Sequence, residues 1–181
     1  MFKNNLKKII LFKNLDKKEL KIISNFLIEK EYKLGDKIFK TKTIKDKLII
    51  IINGSVLLKD KINNKLETIT SFKENDFVNE GIFIKKGIKN KKYLEVISPI
   101  LDTLELSVYN WFTIQKKYPN ITNKIYKNTI IALKNRLNDT NNKMINQLNE
   151  IKNNIIEKKE KENTIEKNKK VIKRKYIESL L

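Results

Sequence analysis

The chain has 181 residues, with 40 Lys and Arg against 21 Asp and Glu, a formal charge of +19, and neither cysteine nor histidine. Those two absences exclude disulfides, thiolate zinc and iron–sulfur ligation, cysteine nucleophiles and histidine-dependent catalytic arrangements. Carboxylate, lysine or magnesium-assisted chemistry stays open, but binding without catalysis is the expected role. The 40% hydrophobic content is enough for a core, so the chain is not a disordered polyelectrolyte. All but two of the basic residues are lysine, spread over both halves. That spread reads as compositional excess more than as a nucleic-acid face. The longest unbroken apolar run, residues 48–52, is far below the roughly 20 residues of a membrane span. Residues 9–12 are too short for a signal-peptide core, and a soluble, cytoplasmic protein is expected.

In chain order, Asp16 with Glu19 three residues on predicts a capped helix start. Leu20, Ile23 and Leu27, with Ile22 and Phe26 beside them, extend an apolar face at helical spacing. Gly35-Asp36 ends that region as a turn. Short β-like segments follow at 37–40, 48–52, 55–59, 66–72, 93–98 and 101–107. Asn53-Gly54, Asn63-Asn64 and Glu74-Asn75-Asp76 supply turn chemistry between them. Leu104 and Leu106 alternate with Glu105 and Ser107, as in a half-exposed strand. Many short strands with regular turns predict a sandwich, jelly roll or barrel.

After Ser107 the period becomes helical. Ser107 is a candidate N-cap for residues 108–117, with Trp111, Ile114 and Gln115 on one side and Pro119 closing the element. A long helix starts near Ile121. Its apolar residues from Leu137 through Met144, Leu148, Ile151 and Ile155 recur by seven, or by four and three, as in a coiled-coil seam. Asn141 falls on that seam as a register residue, residues 158–163 interrupt it, and an amphipathic piece with Ile165, Ile172, Tyr176 and Leu180 follows. The expected division is a β-domain with flanking helices over 1–119 and a helical extension over 120–181, which either forms a homodimer through the long helix, the favoured reading, or folds back on its own domain.

The order of these elements resembles the cyclic nucleotide-binding domain family, the sensor module of catabolite-activator-type regulators and of cyclic-nucleotide-dependent kinases and channels. The resemblance rests on Leu11-Phe12, Leu15, Leu20, residues 33–39, 48–56 and 74–80, then Leu104-Glu105-Leu106-Ser107, Trp111-Phe112 and Tyr118-Pro119. It implies an α+β fold, a double-stranded β-helix jelly roll of cupin-like type flanked by helices. It also implies a turn-plus-short-helix cassette at Asn79, Glu80, Gly81, Ile82 and on to residue 84, whose N–H groups face a phosphate. Glu80 falls where the family binds the ribose hydroxyl. Asn79 stands where the family has glycine, and Asn tolerates left-handed backbone better than most residues. The phosphate-pairing arginine position falls in 89–93, which holds only lysine, so Lys91 or Lys92 takes that place as a point charge. The polar pair that reaches the base falls at Thr140 and Asn141.

The resemblance therefore implies a non-enzymatic regulatory module with cyclic AMP or cyclic GMP as its possible ligand and no required cofactor. About 40 residues remain after Thr140, with no Gly or Pro for the turns and wing of a helix-turn-helix, so specific DNA binding is not expected. Two alternatives stay open: a structural, protein-interaction module with a non-functional pocket, and a Lys-rich nucleic-acid-binding protein.

Overall fold

The computed structural model describes residues 6–39, 44–84, 88, 89 and 92–178. Contacts divide the chain into two compact units, Met1–Ala132 and Leu133–Leu181. In the first, a 3-10 turn at Ile10–Phe12 leads to helix α1 (Lys17–Ser24). The predicted capping box forms. The Glu19 N–H donates to the Asp16 carboxylate at 2.9 Å, and the Asp16 N–H donates to the Glu19 carboxylate at 2.8 Å, an arrangement worth about 1 kcal/mol. The helix ends before the apolar periodicity does. Leu27 instead opens strand β1 (Leu27–Lys33), which pairs antiparallel with β10 (Ile100–Ser107) from Leu27↔Leu106 to Lys33↔Ile100. The cross-strand partners along that whole strand override a local helical spacing.

Between these lie β2 (Lys37–Ile38), β3 (Ile44–Lys45), β4 (Lys47–Asn53), β5 (Ser55–Ile62), β6 (Lys65–Lys73), β7 (Phe77–Val78), β8 (Ile88–Lys89) and β9 (Tyr93–Val96). The sheets run β1-β10-β4-β7, β2-β9-β5-β6 and β3-β8, and all pairings are antiparallel. This is a jelly roll, one of the three architectures the strand pattern leaves open and the one the resemblance implies. Five of the six predicted segments are strands over most of their length; of 37–40 only Lys37–Ile38 is strand, and residue 40 lies outside the described residues. The two-residue strands β3, β7 and β8 were not foreseen, because two residues show no alternation. Gly54 makes the β4–β5 turn at φ +91, and a Cβ there would sit 2.5 Å from the Ile100 carbonyl oxygen and the Ser98 Oγ.

Strand β4 explains the apolar run. Leu48 and Ile50 face one core with Leu11, Phe12, Ile23, Leu104, Leu106, Trp111, Ile114, Ile121 and Ile125. Ile49 and Ile51 face the other with Ile38, Val56, Val78, Leu94, Val96 and Leu101. A strand buried on both faces reads as continuous apolar sequence, and each such side chain contributes about 1.5–3 kcal/mol. The second core lies between the sheets; the first joins one sheet to the helices.

Helix α2 (Val108–Lys117) starts on the predicted cap, with the Asn110 N–H donating to Ser107 Oγ at 3.1 Å. One residue later Pro119 opens helix α3 (Pro119–Glu178), so it starts a helix as well as ending one; proline is favoured at a first helical position. The opening turns of α3 join the first unit's core through Ile121, Ile125 and Ala132. Lys124 Nζ pairs with the Glu19 carboxylate at 2.7 Å. The Asn128 amide donates to the carbonyls of Leu11 at 3.0 Å and Lys13 at 2.6 Å. The second unit is helical through residues 158–163: the charges interrupt the seam but not the helix, since Lys and Glu are good helix formers. Among the described residues no helix is long and apolar enough to cross a membrane.

Candidate functional site

Strand β7 delivers the chain to the expected cassette. Phe77 and Val78 are buried and pair with Ile50 and Ile49 of β4. Asn79 then takes a left-handed conformation, φ 73 and ψ 38, and starts a 3-10 turn at Glu80–Phe83. Its side chain is used as well: Nδ2 donates to the Lys47 carbonyl at 2.8 Å. Asn79 thus meets the left-handed backbone demand of the turn and adds a side-chain anchor that glycine would lack. Inside the turn, the N–H groups of Ile82 and Ile84 donate to the carbonyls of Asn79 and Gly81, each at 3.2 Å. Glu80 and Gly81 are half-buried, while Ile82 is packed into the helix-side core.

Phe83 ties this turn to the helices. Its carbonyl accepts from the Tyr126 hydroxyl at 2.9 Å and from Trp111 Nε1 at 3.4 Å. Its ring lies 4.3 Å from the Trp111 ring and 6.1 Å from that of Tyr126, measured between centroids. Trp111 and Tyr126 meet edge to face at 5.3 Å, and Gln115 donates to the Tyr126 hydroxyl at 3.2 Å. Residues from α2 and from the start of α3 therefore hold Phe83, the last residue of the 3-10 turn, at both its ring and its backbone. Sequence periodicity marks Trp111 as core but gives no sign of this carbonyl.

A second polar group, joined to the turn through Lys47, corrects the half-exposed reading of β10. Glu105 is 6% exposed. Its carboxylate pairs with Lys47 Nζ at 2.8 Å and accepts from the Tyr32 hydroxyl at 2.5 Å. Burial first, and the bond to Glu105 second, push the Tyr32 phenol far above its ordinary value of 10.0. Lys47 joins the two features, holding Glu105 with its side chain and Asn79 with its carbonyl. Alternating hydrophobicity could not show this, because a buried ion pair looks like two solvated charges.

The lysine position divides. Lys91 lies outside the described residues; Lys92 is half-buried just before β9. On β9 itself, Leu94 and Val96 enter the core between the sheets, whereas Tyr93 carries Lys37 Nζ over its ring at 5.2 Å and Glu95 pairs with Lys59 at 2.8 Å. Thr140 and Asn141 are exposed on α3 in the second unit, and the Thr140 hydroxyl donates to the Arg136 carbonyl of its own helix at 2.8 Å. The structure thus gathers Asn79, Glu80, Gly81 and Ile82 into one turn. A groove of about 670 Å³, lined by Val108, Tyr109, Phe112, Thr113, Lys116 and Lys117, runs along α2; no sequence feature foretold it.

No protein-family model matches the sequence, and no curated protein does either. Solved structures do. A cyclic nucleotide-binding domain from Methylobacillus flagellatus superposes with a TM-score of 0.67 over 76% of this chain and 80% of its own, at 17% identity. The β-domain has the cyclic nucleotide-binding fold. The catabolite activator protein of Thermus thermophilus shares that fold at a TM-score of 0.60 and 16% identity, over 75% of this chain and 61% of its own. The regulatory domain of Toxoplasma gondii PKA, solved with cAMP, shares it at a TM-score of 0.54 and 18% identity over 62% of this chain. This chain spans 42% of that one.

Proposed function

We propose that the chain is a non-enzymatic regulatory module in which the cyclic nucleotide-binding fold takes a small anionic ligand of the cyclic AMP or cyclic GMP class. The ligand lies against the turn of residues 79–84, with Glu80 accepting from the ribose hydroxyl and Lys91 or Lys92 facing the phosphate as a point charge. Helix α3 (Pro119–Glu178) is the output and self-association element. One observation carries the reading: Asn79 builds the left-handed entry to the cassette while Phe83, at its other end, is held by Trp111 and Tyr126. A ligand that reorders residues 79–83 has to alter those contacts, so occupancy and helix position become linked equilibria. The cAMP-bound Toxoplasma neighbour supports the choice of ligand class.

A second reading, a protein-interaction module with a non-functional pocket, draws on residues 89–93, which hold lysine but no arginine to pair a phosphate. Thermal shift separates the two. A rise in melting temperature with cyclic AMP, cyclic GMP or a cyclic dinucleotide, lost in Glu80→Ala, supports the sensor. An unchanged midpoint at millimolar nucleotide supports the interaction module.

A further inference from the structure

We infer that Lys47 and Glu105 are positioning residues for the cassette: their ion pair fixes the start of β4, which receives the Asn79 amide. This rests on reading residues 79–84 as the ligand turn and names what holds the entry of that turn in place. Lys47 is the first residue of β4 and is half-buried. Its Nζ donates to the two Glu105 carboxylate oxygens at 2.9 and 2.8 Å and to the Tyr32 hydroxyl at 3.3 Å. Three strands, β1, β4 and β10, thus meet at one side chain. The backbone at the same point is used twice. The Asp46 carbonyl accepts from the N–H of Val108, the first residue of α2, at 2.7 Å. The Lys47 carbonyl accepts from Asn79 Nδ2 at 2.8 Å.

That last bond stands where the sheet gives out. Strand β7 pairs with β4 at Ile50↔Phe77 and Ile49↔Val78 and ends there. The next residue, Asn79, turns left-handed and leaves the ladder, so its side-chain amide makes the following link to β4. The link is only as well placed as the carbonyl that receives it. A strand end opens readily unless something ties it, and here the tie is the Lys47 side chain. Stability alone does not account for the pair. Attraction between buried charges offsets little more than their desolvation, and apolar replacements of similar size are often as stable. A second ion pair, Lys59 with Glu95 at 2.8 Å between β5 and β9, provides the comparison.

Lys47→Met with Glu105→Leu removes both charges and leaves Asn79 in place. This chain should recover most of the wild-type stability in urea, since neither charge is left unpaired. The Ile82 and Ile84 amides, which donate inside the turn, should nevertheless exchange with deuterium about tenfold faster than in the wild type. Lys47→Arg keeps a cation beside Glu105 and should keep both wild-type rates. Lys59→Met with Glu95→Leu should leave both amides unchanged. Wild-type exchange at Ile82 and Ile84 in the chain lacking Lys47 and Glu105 overturns the positioning role. Faster exchange throughout the β-domain, with a lowered urea midpoint, overturns it as well, because the pair is then a general stabiliser. Neither readout needs nucleotide. A wild type that binds no cyclic nucleotide therefore counts against the ligand reading, while the exchange rates still decide this one.

Discussion

Replacing Asn79 separates its two contributions. Asn79→Ala keeps a Cβ in a left-handed conformation, φ 73, which costs about 1–2 kcal/mol for an ordinary L residue. It also removes the amide bond to the Lys47 carbonyl at 2.8 Å, worth about 1 kcal/mol. Asn79→Gly loses the same bond but adopts the left-handed region freely, adding about 0.5–1 kcal/mol through the entropy of the unfolded chain. The expected losses are about 2–3 kcal/mol for alanine and about 1.5–2 for glycine. Urea unfolding followed by circular dichroism resolves such a gap, since a slope of about 1–3 kcal/mol/M turns it into a measurable midpoint difference. An alanine variant as stable as the glycine variant, or more so, would refute the left-handed account of the cassette.

Three further outcomes follow from the same geometry. Glu105→Gln should cost about 2–4 kcal/mol in urea unfolding, less than breaking a fully buried pair because the Lys47 side chain keeps 26% exposure; Glu105→Leu with Lys47→Met should recover most of it. Tyr32 is held protonated in the fold, so its stabilisation is complete below pH 10.0 and declines as pH rises above that ordinary phenol value; a Tyr32→Phe chain should lack that alkaline decline in a pH series of unfolding midpoints. Gly54→Ala should lower the melting temperature strongly, since the added carbon meets the Ile100 carbonyl oxygen at 2.5 Å at a positive φ; an unchanged midpoint would contradict the tight β4–β5 turn.

Local chemistry made much of the fold legible. Asp16 with Glu19, Ser107 before α2, and Asn53-Gly54 between two strands each act through neighbours a few residues away, so their outcome is written in short windows. Leu27 was misread because its partner, Leu106, lies far along the chain, and helical spacing carries no knowledge of that partner. Glu105 was misread for a related reason. Its burial depends on Lys47 and Tyr32 arriving from two other strands, and an alternating pattern treats every charge as solvent-facing. For the candidate site, the order of residues located the turn and Asn79 declared its own backbone tolerance. The grip of Trp111 and Tyr126 on the Phe83 carbonyl was hidden, because side-chain identity does not reveal which backbone oxygen a donor reaches.

Trp111 is the single tryptophan of the chain and touches the cassette through both its ring and Nε1, so its fluorescence reports directly on residues 79–83. Titration of the full chain with cyclic AMP and cyclic GMP should give a saturating change in that emission with one of them, and Glu80→Ala should abolish it. A flat emission to millimolar nucleotide, identical in the two chains, would contradict the proposal that this cassette senses a cyclic nucleotide.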